Sequence, residues 1–458
     1  MVPLTNIPLE VFELIADQVV SRPGPEREIK QDLIACRLTS RGFARFFEPY
    51  LFRSGAFTSG PTFGSGSRTH RRARVLLEIL TKRQILSNHV KQFTLCLTMG
   101  ITPPDLPEIL NKLRRLERLE IKGRPVTGEI QWRSLSVPLK VALTSLIVEG
   151  PGLLELVIDQ IQEVPADLIL KSSSLTKIGL PFASFCYTAD VDTHNVKESG
   201  DTAPTQRAMF DLDLSFAKMN SIRTWFSGLS NPKVFLGKMR SLRLQHDFQD
   251  DVHLKEIMGI CGRHAELLTV FDVTFPPMDF LSEWLILTLV TESVLTATDL
   301  VVSQRRLFIS PLNRLRSLQI TVMEPTSQSL DPILRDIAVE LKQMDTSSLE
   351  ELTLSLCRVH PDELAVYIQL DRVLNYLMPK FNRLVSHGPL EECERTALRR
   401  FRRLSLRFIL VGDPQRWNSD RPQAMSEKMG TEGVLRNKIY MTVLSQSGVV
   451  LCDSKLVG

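Results

Sequence analysis

Cys261 and His264 stand three residues apart, a spacing at which two side chains on one helix can hold a transition metal. No second Cys/His pair lies near them in sequence. Cys261 also falls on an apolar stripe of Leu254, Ile257, Met258, Cys261, Ala265 and Leu268, so the pair reads as core packing. Cys393 sits within Glu-Glu-Cys-Glu, where carboxylates raise a thiol's pKa and weaken it as a nucleophile. No serine is framed as G-x-S-x-G, and no H-E-x-x-H occurs. The glycines of 54–74 have no Lys-Ser/Thr behind them and no G-x-G-x-x-G, so they form no phosphate loop. The eight histidines are scattered. These residues predict no enzyme, no metal site and no cofactor.

The charge that does recur at regular positions belongs to a repeated frame, apolar-x-x-apolar-x-apolar. It appears as Val90/Phe93/Leu95, Leu116/Leu119/Ile121, Leu143/Leu146/Val148, Leu175/Ile178/Leu180 and Met209/Leu212/Leu214. It continues as Met239/Leu242/Leu244, Leu268/Phe271/Val273, Leu315/Leu318/Ile320, Leu349/Leu352/Leu354 and Phe401/Leu404/Leu406. Alternation within each frame predicts a strand with one buried face. Between frames lie helical stripes, among them Leu106/Ile109/Leu110/Leu113, Leu334/Ile337/Ala338/Leu341 and the stripe through Cys261. Successive frames start 26 to 52 residues apart, mostly near thirty, which predicts an α/β solenoid of strand–helix repeats. Side chains between the apolar positions then line one rigid, concave face suited to a protein partner. Asp211, Asp213, Arg243, Asp272, Glu351, Arg403 and Arg407 fall there, an acidic middle followed by a basic end.

Two polar stretches interrupt the array. Residues 184–206 read as a loop in place of a helix, and 412–433 as its end, with a closing cap after it.

Ahead of the array stand three short helical patterns. The first carries Val11, Phe12, Ile15 and Val19 on one face, with Pro8 suited to its first turn. A Pro/Gly-containing loop follows at 21–28. Asp32 can open the second helix, with Leu33, Ile34 and Leu38 apolar, and Phe43, Phe46 and Phe47 mark a third that Pro49 ends. So small a core calls for an outside partner or packing on the next domain. These residues carry a resemblance. Leu4, Ile7-Pro8, Glu10-Val11, Ile15 and Val19, then Asp32-Leu33, Leu38, Ser40-Arg41, Phe43, Pro49 and Leu51-Phe52-Arg53, resemble an F-box in the form common in fungal proteins. Ile7 stands where that family usually has Leu, and the loop at 21–30 is longer.

The resemblance implies that Leu4, Ile7, Pro8, Glu10, Val11, Ile15, Val19, Leu33, Leu38, Ser40 and Phe43 dock the Skp adaptor of a Skp–cullin–F-box ubiquitin ligase. The array in turn resembles the leucine-rich repeats of F-box proteins. The family's Asn or Cys after the strand appears here only as Cys357. The organisation expected is an F-box at 1–53, a Gly/Ser-rich basic linker at 54–74, a leucine-rich-repeat-like solenoid at 75–411 and a C-terminal tail or cap at 412–458. Its expected role is non-catalytic substrate recognition, with a scaffold outside ubiquitin transfer as one alternative. A nucleic-acid-binding repeat protein, using Arg68–Arg74 and Arg399–Arg407, is the other. A net charge of +4 over 458 residues gives no mandate for nucleic acid. The best apolar stretch, 280–295, is broken by Glu283 and Glu292, so no membrane partner is expected. Seven scattered cysteines, an odd number, point to free thiols and an intracellular site in cytoplasm or nucleus.

Overall fold

A computed structural model describes residues 14–16, 18–19, 26–39, 41–58, 66–98, 102–124, 130–186, 208–229, 231–245, 251–275, 308–312, 314–323, 340, 349–359, 403–410, 439–445 and 450–455. The chain divides into two compact units, 1–208 and 209–458.

The first unit opens with helical residues 14–16 and 18–19, then α1 (Glu26–Thr39) and α2 (Arg41–Leu51). Helix α1 begins ahead of Asp32, directly after Pro25, and has Arg37 in its last turn, where a cation suits the dipole. Helix α2 continues through Pro49 to Leu51. Proline inside a helix removes one donor; here that happens in the last turn, and the ladder resumes with the Phe52 amide donating to the Glu48 carbonyl at 3.1 Å. Ala16, Leu33 and Phe47 form the buried centre of these helices. Phe47 stacks on Phe43 at 5.8 Å and meets the edge of Phe46 at 5.1 Å.

Of residues 54–74, expected as a linker, 54–58 and 66–74 are built into the fold, and 59–65 lie outside the described residues. β1 (Ser54–Thr58) pairs in parallel with β2 (Gln92–Thr98), and α3 (Gly66–Lys82) follows it. Phe57 and Ala73 are buried, while Arg71, Arg72 and Arg74 form the solvent side of α3. The sheet thus starts before residue 75. Helix α4 (Gln84–His89) precedes β2, and α5 (Leu106–Lys112) leads to β3 (Arg118–Arg124).

The frame Leu143/Leu146/Val148 is not a strand. It lies in α6 (Val137–Glu149), whose buried residues Leu139, Ala142, Leu143 and Ile147 follow the helical period and whose first turn takes Pro138. The strand of this repeat is β5 (Glu155–Asp159), on the frame Leu153/Leu156/Ile158. Two-residue pairs lie beside it, β4 (Ile130–Gln131) with β6 (Ile161–Gln162), and β7 (Val164–Pro165) with β9 (Phe185–Cys186). Helix α7 (Ala166–Lys171) and β8 (Lys177–Gly179) complete the unit. Strands β1, β2, β3, β5 and β8 run parallel in sequence order. Their register stacks Gly55, Phe93, Leu119, Leu156 and Ile178 in one column and Phe57, Leu95, Ile121 and Ile158 in the next. Helices α3, α5, α6 and α7 pack successively on one another. Of the expected loop at 184–206, Phe185 and Cys186 lie in β9 and residues 187–206 lie outside the described set.

The second unit repeats this order. β10 (Phe210–Leu214), α8 (Met219–Ser227), α9 (Pro232–Leu236), β11 (Met239–Gln245), α10 (Asp251–His264) and β12 (Val270–Phe275) precede β13 (Ser317–Met323), β14 (Glu351–Val359) and β15 (Arg403–Leu410). All are parallel and in sequence order. Leu212, Leu242, Phe271, Leu318, Leu352 and Leu404 align across them. Trp225 packs 5.7 Å from Phe235, which lies 4.9 Å from Phe210. The sheet does not stop near residue 411: β16 (Ile439–Ser445) extends it in parallel, and β17 (Val450–Lys455) returns antiparallel. The stripe Leu334–Leu341 lies outside the described residues apart from Glu340.

One backbone device sets the register. The residue after the first apolar position offers its carbonyl to two amides of the next repeat. Arg53 O takes Lys91 N and Gln92 N at 2.8 and 2.9 Å, and Lys91 O takes Glu117 N and Arg118 N at 2.7 and 2.9 Å. Glu117, Leu154, Thr269 and Arg316 do the same for their successors. After the strand comes a left-handed residue two positions past the last apolar one: Gln160 (φ 57), Phe182 (φ 53) and Phe216 (φ 63). In the β3 repeat that place is Gly123, where a Cβ would lie 2.3 Å from the Gln160 carbonyl oxygen. Only glycine fits there.

Candidate functional site

Two surfaces receive the residues singled out above. On the N-terminal helices, Leu33 is 2% exposed and belongs to the core with Ala16 and Phe47, so it is not available to a partner. Its place on α1 with Ile29 and Cys36 explains this: that face closes the three-helix core. Val19 and Phe43 pack against the same core and are partly buried. Ile15 is 38% exposed and Leu38 is 79% exposed. Beside them in sequence Leu14 and Ile34 are exposed too, at 64% and 46%. Ile34 and Leu38 sit one turn apart on α1, on a face other than that of Leu33. Leu4, Ile7, Pro8, Glu10, Val11 and Ser40 lie outside the described residues.

The polar strand face of the second unit is a charge lattice. The Arg240 guanidinium grips Asp211 with two bonds, Nε to Oδ1 at 2.9 Å and Nη2 to Oδ2 at 2.5 Å. Arg243 stands in register between Asp213 and Asp272. Its Nε donates to Asp272 Oδ2 at 2.7 Å, and its Nη1 donates to Asp213 Oδ2 at 3.2 Å. Ser215 donates to Asp213 Oδ1 through its amide, at 3.0 Å, and its hydroxyl. Burial works against charge on Arg243, yet Asp272 and Asp213 outweigh it and raise its pKa. Burial pushes the Asp272 carboxyl up, with Arg243 opposing. The middle of this face is therefore not the open acidic surface expected. Arg240 and Arg243 neutralise most of it, and Asp272 is only 6% exposed. Arg240 escaped the sequence reading because it precedes the alternating positions of its frame, yet its charge opposes Asp211 of the previous frame.

Further along, Glu351 is exposed, and Arg403 and Arg407 occupy the β15 positions paired with Glu351 and Ser355. Ser355 and Ser405 are buried.

The first unit carries a related cluster. Lys122 Nζ lies 2.9 Å from Glu120 Oε1, and Thr94 donates to Glu120 Oε2 at 3.0 Å. Burial would raise the Glu120 pKa, but the bonds from Lys122 and Thr94 prevail and lower it. Asp159, paired in register with Lys122, has its pKa raised by burial. Asp159 was missed because its strand, β5, was assigned to the wrong frame.

Cys261 is fully buried, and burial pushes its thiol up to about 12. Among the described residues Cys36, Cys96, Cys186, Cys261 and Cys357 form no disulfide, and no cluster of three or more His, Cys, Asp or Glu is placed to hold a metal. No helix among them is long and apolar enough to cross a membrane, and the stretch 280–295 lies outside them. What this geometry does chemically is hold charges at fixed positions on rigid strands. No family model matches the chain, and no curated protein matches it.

Proposed function

We propose that this chain is a non-catalytic substrate-recognition subunit of a Skp–cullin–F-box ubiquitin ligase. The observation that carries the reading is the division of labour on the N-terminal helices. Leu33, Ala16 and Phe47 close a small core, while Leu14, Ile15, Ile34 and Leu38 are left exposed on the same short elements. Apolar surface kept in water forfeits about 25 cal/mol per Å², so such a set favours a partner helix that covers it. The residue frame from Leu4 to Arg53 supports the Skp adaptor as that partner.

The parallel strands, entered through a repeated carbonyl, support reading residues 54–455 as leucine-rich-like repeats whose polar faces hold a protein target. The mechanism is tethering. Binding raises the target's effective concentration beside the ligase's transferring enzyme, and the chain itself forms and breaks no bond.

Calorimetry of the full chain against purified adaptor tests this. Ile15→Arg and Leu38→Arg should weaken binding about a hundredfold by placing a charge in an apolar seam. Both positions are exposed, so melting temperature should hold. Leu33→Ala should behave oppositely and unfold the helices. Parent-like binding by both Arg variants sinks the assignment.

A further inference from the structure

We infer that the polar face of the second unit's sheet binds a cationic side chain of a partner protein, an ammonium or guanidinium, at Asp272. The site rests on the proposed function only for the view that this partner is the recruited target. Counting charge among the described residues, Arg240 is matched by Asp211, but Arg243 alone faces both Asp213 and Asp272. One negative charge is left over.

Counting hydrogen bonds gives the same answer independently. Asp272 Oδ2 receives Arg243, whereas Asp272 Oδ1 is buried without a donor among the described residues. Gln245 Oε1, also on the polar face, is likewise a buried acceptor without a donor. The two residues sit diagonally on adjacent strands, because Arg243 pairs with Asp272 and Gln245 with Thr274. Diagonal neighbours stand about 7–8 Å apart at Cα, which one multi-donor group can bridge.

A buried acceptor without a donor is costly, and a carboxylate more so than an amide. Arg243 directs its Nε to the other oxygen of Asp272 and its Nη1 to Asp213, and the Ser215 hydroxyl donates to Asp213 Oδ1, so none of these bonds reaches Asp272 Oδ1. The group missing from this site donates several hydrogen bonds and carries positive charge. Lysine and arginine side chains meet both conditions, and a neutral hydroxyl or amide meets one. An acidic ligand meets neither. Rigid strands hold Asp272 in place, so the acceptor is already oriented and stripped of water.

The test uses the full chain and surface-bound peptides identical except for a central Lys, Arg, norleucine or citrulline. The parent chain should retain the Lys or Arg peptide at least tenfold better than its neutral counterpart, and the better of the two identifies the ammonium or the guanidinium. Asp272→Asn should bring the ratio to within twofold. Gln245→Glu, which keeps the triad, should raise it several-fold and serves if Asp272→Asn fails to fold. Equal retention of charged and neutral peptides by the parent overturns the inference. So does an unchanged ratio in folded Asp272→Asn, and so does an unchanged ratio in Gln245→Glu. Adaptor binding measured on the same samples separates the two claims. Adaptor binding without a cation preference sinks this site alone, and a cation preference without adaptor binding sinks the ligase reading alone.

Discussion

Each unit sets two carboxylates around one cation on its polar strand face, and each resolves the conflict differently. In the first unit Lys122 gives its bond to Glu120, two positions away on the same strand, and the facing Asp159 keeps one buried oxygen without a donor. In the second unit Arg243 reaches both neighbouring strands, through Nε to Asp272 and Nη1 to Asp213. An ammonium is a compact point charge, while a guanidinium is a fork that addresses two acceptors in fixed directions. The arginine ties three strands together; the lysine decorates one.

The largest test of this contrast is removal of the cation. Arg243→Met leaves Asp272, whose side chain is 9% exposed, as a buried charge, and should cost about 3–5 kcal/mol in urea unfolding. Lys122, whose side chain is 41% exposed, should cost less than about 1 kcal/mol when changed to Met. Equal losses would break the comparison.

Exchanging the cations sharpens it. Arg243→Lys should lose about 1–2 kcal/mol, because one of two charge-assisted bonds goes unmade. Lys122→Arg should be neutral or gain up to about 1 kcal/mol by adding a donor for Asp159, read in the same unfolding curves.

The smallest effects are titrations. Carboxyl resonances should show Glu120 ionising below its ordinary 4.5, and Asp159 and Asp272 above 3.8. The signs then differ. Glu120 contributes stability that is present above its unfolded pKa and lost as pH falls through the lowered folded one. Asp272 does the reverse: its folded state takes the proton more readily, so acidification through the raised pKa relieves a penalty. Glu120→Gln should therefore flatten the acid limb of the stability curve, and Asp272→Asn should steepen it.

Much of the sheet was legible because burial alternates with period two. Leu119, Ile121, Leu242, Leu244, Leu318 and Ile320 are all buried at frame positions. Two of the strands outside the frames, β1 and β5, escaped for physical reasons. In β1 the second apolar place is Gly55, where a Cβ would crowd the Phe93 ring at 3.1 Å, so the column itself favours a small residue. Around β5 two frames compete, and the helical period of Leu139, Ala142, Leu143 and Ile147 decides against the first. On α1 the apolar residues Leu33 and Leu38 look alike in sequence, yet one closes the core and the other faces water. That choice depends on where Phe47 lands, which no local pattern records. The site was harder to see than the fold. Asp213 and Asp272 stand at alternating positions, whereas Arg240 precedes those of its frame; Lys122 does alternate with Glu120, but charge balance is a property of neighbours in space.

The carbonyls of Arg53, Lys91, Glu117, Leu154, Thr269 and Arg316 have a consequence for how this chain can change its length. Six strands, β2, β3, β5, β8, β13 and β14, are caught at their entry by the preceding repeat, which fixes their register at that point whatever the length of the segment before it. Closing a flexible segment costs only about 0.6 kcal/mol more for each doubling of its length. Crossovers can therefore be lengthened, shortened or exchanged for whole inserted domains while these strands keep their partners, and a lineage carrying this chain is free to remodel one side of it without disturbing the other.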